Sequence, residues 1–134
     1  VLTPGGVLAL VDNVSPDEVT MAGFSKRELK DAAITYNAFE KIRDPSHGRA
    51  LTVTEWRELV GDAGLSIEAE ETIDKAMDFA TWCKTMSVPA DTVPKLEAML
   101  REPAPAFRAF IRPSESEGKL GFMLIELLMI ARKA

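Results

Sequence analysis

The chain has 134 residues, 46% of them apolar and 28% charged, with a net charge of −5. That length leaves room for one domain, read as 1–134, around one core, and the composition excludes a disordered chain. With 21 acidic against 16 basic residues there is no general basic face, which argues against a nucleic-acid partner.

Cys83 is the single cysteine, so intrachain disulfides and thiolate metal clusters are excluded, and a reducing compartment fits. His47 is the single histidine, and no His, Cys and carboxylate set has metal-ligand spacing. Residues 7–11 are apolar but lack the Lys/Arg flank and cleavage site of a signal peptide. The longest apolar run, Leu120–Ala131, contains Glu126 and is too short for a membrane span. These features predict a cytoplasmic protein with no metal and no membrane partner.

The first predicted element is a strand at residues 7–11. It follows a Pro4-Gly5-Gly6 turn and ends in Asp12-Asn13. A run of apolar residues without alternation predicts burial on both faces, as in a parallel sheet. Such a strand sits inside a larger sheet, and the chain starts with Val rather than Met. It therefore reads as the second part of something longer. Residues 14–24 stay ambiguous, because Pro16 and Gly23 argue against one helix.

Ser25-Lys-Arg-Glu28 has capping-box form, ahead of Leu29, Ala32, Ala33, Tyr36 and Phe39 on one helical face. Asp44-Pro-Ser-His-Gly48 breaks that helix. Thr52-Val-Thr-Glu55 is a second capping box, opening a short helix with Trp56, Leu59, Val60 and Ala63 inward and Gly64 as its stop. Leu65, Ile67 and Ala69 alternate with Ser66, Glu68 and Glu70, which predicts a half-exposed strand near an edge.

Phe79, Trp82, Cys83 and Met86 form the next helical face, ending at Val88-Pro89. Thr92 and Pro94 start another helix with Val93, Leu96, Met99 and Leu100. Phe107, Phe110 and Ile111 predict a further turn or two, and Pro113–Lys119 a solvated loop. Leu120–Arg132 is the last strand, apolar on both faces and so central. Glu126 within it requires a partner or exposure, since burying a lone carboxylate costs several kcal/mol. Strand, helices, strand, helices, strand is an α/β order.

Several segments resemble the C-terminal half of class I S-adenosylmethionine-dependent methyltransferases, in particular the small-molecule enzymes of the ubiquinone and menaquinone type. They are Leu2–Asn13, Glu40-Lys-Ile-Arg-Asp-Pro-Ser-His47, Thr54–Val60 with Ala63-Gly-Leu65, and Leu127–Lys133. The resemblance implies a partial Rossmann-like sheet of three strands. Residues 7–12 would be the fifth strand of the full fold and 65–73 the sixth. Residues 120–132 would be the seventh, antiparallel and central between them. The first four strands would be missing. The parent family's cofactor is S-adenosylmethionine, held by a Gly-rich turn after the first strand. Here Gly5-Gly6 precedes a strand and no G-x-G occurs, so no residue of this chain is expected to bind the cofactor.

Candidate substrate contacts are Asp12, Asn13, Arg43, His47 and Arg49. Asp12 and Asn13 lie at the carboxyl end of a buried strand, where open α/β sheets place ligands, or they form a turn that satisfies its own backbone. The resemblance brings the Arg43–Arg49 loop to a substrate pocket. There His47 acts as a base or hydrogen-bond partner; the alternative is that Asp44 and His47 only cap helices. Phe79, Trp82, Met86, Met99, Phe107 and Phe110 line an apolar pocket or form plain core. No catalytic residue is assigned.

Three functions remain open. The chain is the substrate-side portion of a small-molecule methyltransferase, inactive alone. It is a non-enzymatic, homodimeric or ligand-binding module derived from that fold. Or it is an unrelated α+β domain, which a different strand order would favour. In the first two, the unpaired flank of the first strand meets either the missing N-terminal half or a second copy.

Overall fold

The computed structural model describes residues 2–134. In chain order they form β1 (Val7–Asn13), α1 (Lys26–Arg43), α2 (Val53–Asp62), β2 (Leu65–Asp78), α3 (Phe79–Thr85), α4 (Val93–Arg101), α5 (Pro105–Ile111), β3 (Ser114–Ser116) and β4 (Lys119–Lys133). The sheet order is β1-β4-β2, with β4 antiparallel to both neighbours and β3 paired to its start. The last strand is therefore central, as its apolar composition predicts, and the architecture is α/β with five helices.

Register explains why β4 takes the middle. Side chains alternate between faces along a strand, and antiparallel partners share a face. Ile125, Leu127, Met129 and Ala131 lie on one face with Leu8, Leu10 and Asp12. Phe122 and Leu124 lie on the other, opposite Met77 and Lys75. All six of these β4 residues are buried, so β4 buries side chains on both faces and needs neighbours on both flanks.

Both capping boxes form. The Ser25 hydroxyl accepts from Glu28 N–H at 3.2 Å while the Glu28 carboxylate accepts from Ser25 N–H at 2.7 Å. Thr52 and Glu55 repeat the arrangement at 3.1 Å each way. Each box satisfies two N–H groups that a helix start leaves without partners.

The core lies where α3 and α5 meet β4 and α1 packs against α4 and α5. Phe39 is fully buried and stacks on Trp82, with ring centroids 4.6 Å apart and planes 12° apart. Phe122 meets both rings edge-on, and Phe107 meets Phe39 the same way. Tyr36 and Phe110 form a further edge-on pair at 5.2 Å. Of the aromatic and methionine residues weighed as pocket or core, Phe79, Trp82, Phe107 and Phe110 are core.

Five expectations are corrected. β1 is not buried on both faces: Val7 and Val11 are 45% and 60% exposed, because they share the face of Leu128, Ile130 and Arg132, where β4 itself is only half-buried or exposed. β2 continues to Asp78 rather than ending at residue 73, because its pairing with β4 runs on to Gly121. Leu59 and Ala63 of the second helical segment face out, since α2 turns Val53 and Val60 toward the core instead. Met86 lies past the end of α3 and is exposed. The loop 113–119 contains β3, which pairs back onto β4 through a two-residue turn at Glu117-Gly118; both residues have positive φ, the geometry that matches strand twist. Glu126 has the partner it requires, Lys75, at 3.2 Å.

Candidate functional site

A cavity of about 840 Å³ opens between one face of α1, residues 16–18, the turn at 47–49 and the first turn of α2. The lining side of α1 is a single stripe at helical spacing: Lys26, Leu29, Lys30, Ala33, Ile34, Asn37, Ala38 and Lys41. The size suits a small molecule.

The walls are fixed by backbone hydrogen bonds. Asp17 is buried, and its Oδ1 accepts from the amides of Val19 and Thr20 at 2.9 and 3.2 Å. Its Oδ2 accepts from Thr54 N–H at 2.9 Å, which ties the segment after β1 to the start of α2. Ser15 adds two more ties: its N–H donates to Leu51 C=O and its hydroxyl to Ala50 C=O, both at 3.0 Å. Asp44 holds the next turn by accepting from the amide and hydroxyl of Ser46 at 3.0 and 2.6 Å. Those hydrogen bonds keep its carboxyl below the usual range.

His47 is oriented from α1. Asn37 Oδ1 accepts from Ala50 N–H at 2.6 Å, and the His47 Nε2 lies 3.2 Å from the same oxygen. The Asn37 amide nitrogen donates to Ala33 C=O at 2.9 Å, so the two ends of the amide are assigned by their partners. An amide oxygen only accepts, so Nε2 carries the hydrogen. In the neutral ring Nδ1 is then a free acceptor.

Arg49 also lines the cavity, but its charge is engaged. It makes a two-point pair with Glu55, with 2.7 Å contacts at both oxygens. That pairing depresses the Glu55 pKa and raises that of Arg49.

The other three expected substrate contacts lie elsewhere. Asp12 is exposed and caps its own strand end by accepting from Asn13 N–H at 2.8 Å. Asn13 Oδ1 accepts from Lys75 at 3.4 Å across the sheet. Arg43 donates from Nε to the Trp82 carbonyl at 2.9 Å and sits 4.5 Å over the Trp82 ring, so it ties α1 to α3. The structure thus brings His47 and Arg49 together and leaves Asp12, Asn13 and Arg43 outside the cavity.

Sequence reasoning missed Asn37 and the lysines of the stripe. They lie on the face of α1 that carries no apolar stripe, where lysines ordinarily do no more than solvate a helix surface. Sequence reasoning also missed the buried pair Tyr36–Glu40, one turn apart on the apolar face of the same helix, where the tyrosine hydroxyl donates to the carboxylate at 3.2 Å. Burial pushes the Glu40 carboxyl up, against the pull of Arg43 and His47. Burial and the neighbouring carboxylate push the Tyr36 hydroxyl up as well.

Among the described residues no group of three His, Cys, Asp or Glu is placed to hold a metal. No helix there is long and apolar enough to cross a membrane. The paired glycines are spent on the chain itself: Gly5 N–H donates to Lys133 C=O and Gly6 N–H to Thr3 C=O, both at 2.8 Å. A Cβ at Gly6 would meet Thr3 O at 2.8 Å, so this glycine makes the turn rather than room for a ligand.

No known protein family's sequence profile matches the chain. It is 26% identical over 135 residues to the uncharacterized protein YafE of Escherichia coli K12, matching all of this chain and 58% of that protein. Its structure superposes with a TM-score of 0.81 on BH2331 of Bacillus halodurans, solved as a putative methyltransferase. Identity there is 28%, over 98% of this chain and 57% of that one. YcgJ of Bacillus subtilis gives the same TM-score at 21% identity, over 98% of this chain and 53% of that one, a likeness of fold alone. The chain spans little more than half the length of the proteins it matches, and its fold is methyltransferase-like.

Proposed function

We propose that this chain is the C-terminal, substrate-side portion of an S-adenosylmethionine-dependent methyltransferase acting on a small molecule. The observation that carries the reading is the superposition on a putative methyltransferase over nearly all of this chain but 57% of the other. The cofactor is, in this reading, held outside these residues, since the paired glycines Gly5 and Gly6 precede a strand and bond within the chain itself. In this reading the cavity on α1 receives the methyl acceptor, and His47 Nδ1 accepts a hydrogen bond from the acceptor's hydroxyl. Holding two reactants in line is the main contribution a protein makes to such a transfer. The chain alone is inactive.

The test is a calorimetric titration of S-adenosylmethionine into the purified chain. No binding in the micromolar range is expected, and micromolar binding overturns this division of labour. Fused behind the cofactor-side half of the Bacillus halodurans protein, the chain should support turnover to S-adenosylhomocysteine that His47→Ala lowers. A folded, cofactor-binding fusion whose turnover ignores His47 removes the assigned role.

A second reading is favoured by β1, whose outer flank is unpaired among the described residues and whose Val7 and Val11 are exposed. Unpaired strand edges recruit other strands. A homodimer joined at β1 would be a non-enzymatic module. Light scattering that shows a monomer at high concentration counts against it.

A further inference from the structure

The stripe of α1 that lines the cavity carries three lysines. Lys26, Lys30 and Lys41 make no ion pair among the described residues. The other charges around the cavity are already engaged. Arg49 and Glu55 hold each other, and Asp17 accepts three backbone amides. The lining thus sets Lys26, Lys30, Lys41 and Arg49 against Asp17, Glu18 and Glu55, a net excess of one positive charge in a chain of net charge −5. Helix stability explains Lys41, in the last turn of α1, but not Lys26, its first residue, where a cation opposes the helix dipole.

Between the cations the surface is apolar. Ala33, Ile34 and Ala38 form the floor, and Ile34 is 59% exposed. From Lys30 to Asn37, which holds His47, the helix advances roughly 10 Å. A cationic end, an apolar middle and a hydrogen-bond acceptor thus follow one another along the cavity.

We propose that this cavity binds a hydroxylated organic acid. Its carboxylate lies at Lys26 and Lys30, its apolar body on Ala33 and Ile34, and its hydroxyl donates to His47 Nδ1. The methyl-acceptor role of such a ligand rests on the reading above; the binding itself does not.

The probe is 6-hydroxy-2-naphthoate, whose carboxylate and hydroxyl stand at opposite ends of a flat apolar body. It is compared with 2-naphthol, which lacks the acid, and 2-naphthoate, which lacks the hydroxyl. Calorimetric titration into the whole chain should show the hydroxynaphthoate binding roughly tenfold tighter than naphthol, as two partly exposed charge contacts supply. Its affinity should fall as salt rises. The K26Q/K30Q double variant should erase the preference for the acid, while K95Q, on α4, leaves it intact. His47→Ala should weaken the hydroxynaphthoate more than the naphthoate.

No binding of the hydroxynaphthoate, equal binding of naphthol, or a K26Q/K30Q chain with the same preference overturns the proposal. Equal effects of His47→Ala on both acids overturn the orientation. Binding as described without methyl transfer in the fusion counts against the enzymatic reading and leaves this one standing. Transfer to uncharged acceptors that ignores K26Q/K30Q does the reverse.

Discussion

The two faces of α1 are built from the same eighteen residues and put to opposite uses. One face carries Leu29, Ala32, Tyr36, Phe39 and Glu40 into the aromatic core. The other carries Lys26, Lys30, Ile34, Asn37 and Lys41 along the cavity. The first is held by packing that buries Phe39 and Tyr36 almost completely. The second is held by a few directed hydrogen bonds, chiefly those of Asn37. The core face therefore governs whether the chain folds, and the cavity face governs what it binds.

The strongest way to break this division is Phe39→Ala. It removes a ring stacked on Trp82 and in contact with Phe107 and Phe122, and should cost about 3–5 kcal/mol in urea denaturation. That is a large part of the 5–15 kcal/mol typical of a domain. A loss below about 1 kcal/mol would mean the core face is not what stabilises the helix.

Asn37→Ala tests the other face. It leaves the Ala50 amide without its acceptor and should cost about 1–3 kcal/mol. It also frees His47, so nitrogen NMR of the imidazole should show the tautomer ratio relaxing toward that of a free histidine side chain, with a smaller excess of Nε2–H. An unchanged tautomer ratio would show that Asn37 does not orient the ring.

Glu40→Gln, on the core face, gives the smallest and most specific effect. Burial raises the Glu40 pKa in the folded chain, so the folded state holds that proton more tightly than the unfolded state. The resulting stability is fully present below the unfolded value, near 4.5, and is lost as pH rises through the raised folded value. Glutamine stays neutral throughout. Urea denaturation from pH 4 to pH 7 should therefore show the variant gaining on the native chain as pH rises. A difference that does not change with pH means Glu40 titrates as if exposed.

Much of the fold was legible in local patterns. The capping boxes at Ser25 and Thr52 mark both helix starts, because their side chains bond to amides three residues away. The apolar run at Leu120–Arg132 announces a central strand, because only a strand flanked on both sides buries both faces. The cavity was less legible. His47 and Arg49 stood out as a motif, yet nothing local ties Asn37 to Ala50 across thirteen residues. Arg43 looked like a substrate contact because its neighbours in sequence did, whereas the chain folds it over Trp82, thirty-nine residues away.

The residue pattern alone determined the α/β order, the two capped helix starts and most of the apolar core, Leu59, Ala63 and Met86 excepted, since these depend on side-chain periodicity and on bonds within one turn. Tertiary structure alone decided which face of β1 is open, which charged groups are already paired, and that two of five candidate contacts share a cavity. Those outcomes depend on which side chains distant segments bring within hydrogen-bond reach, and no local pattern records that.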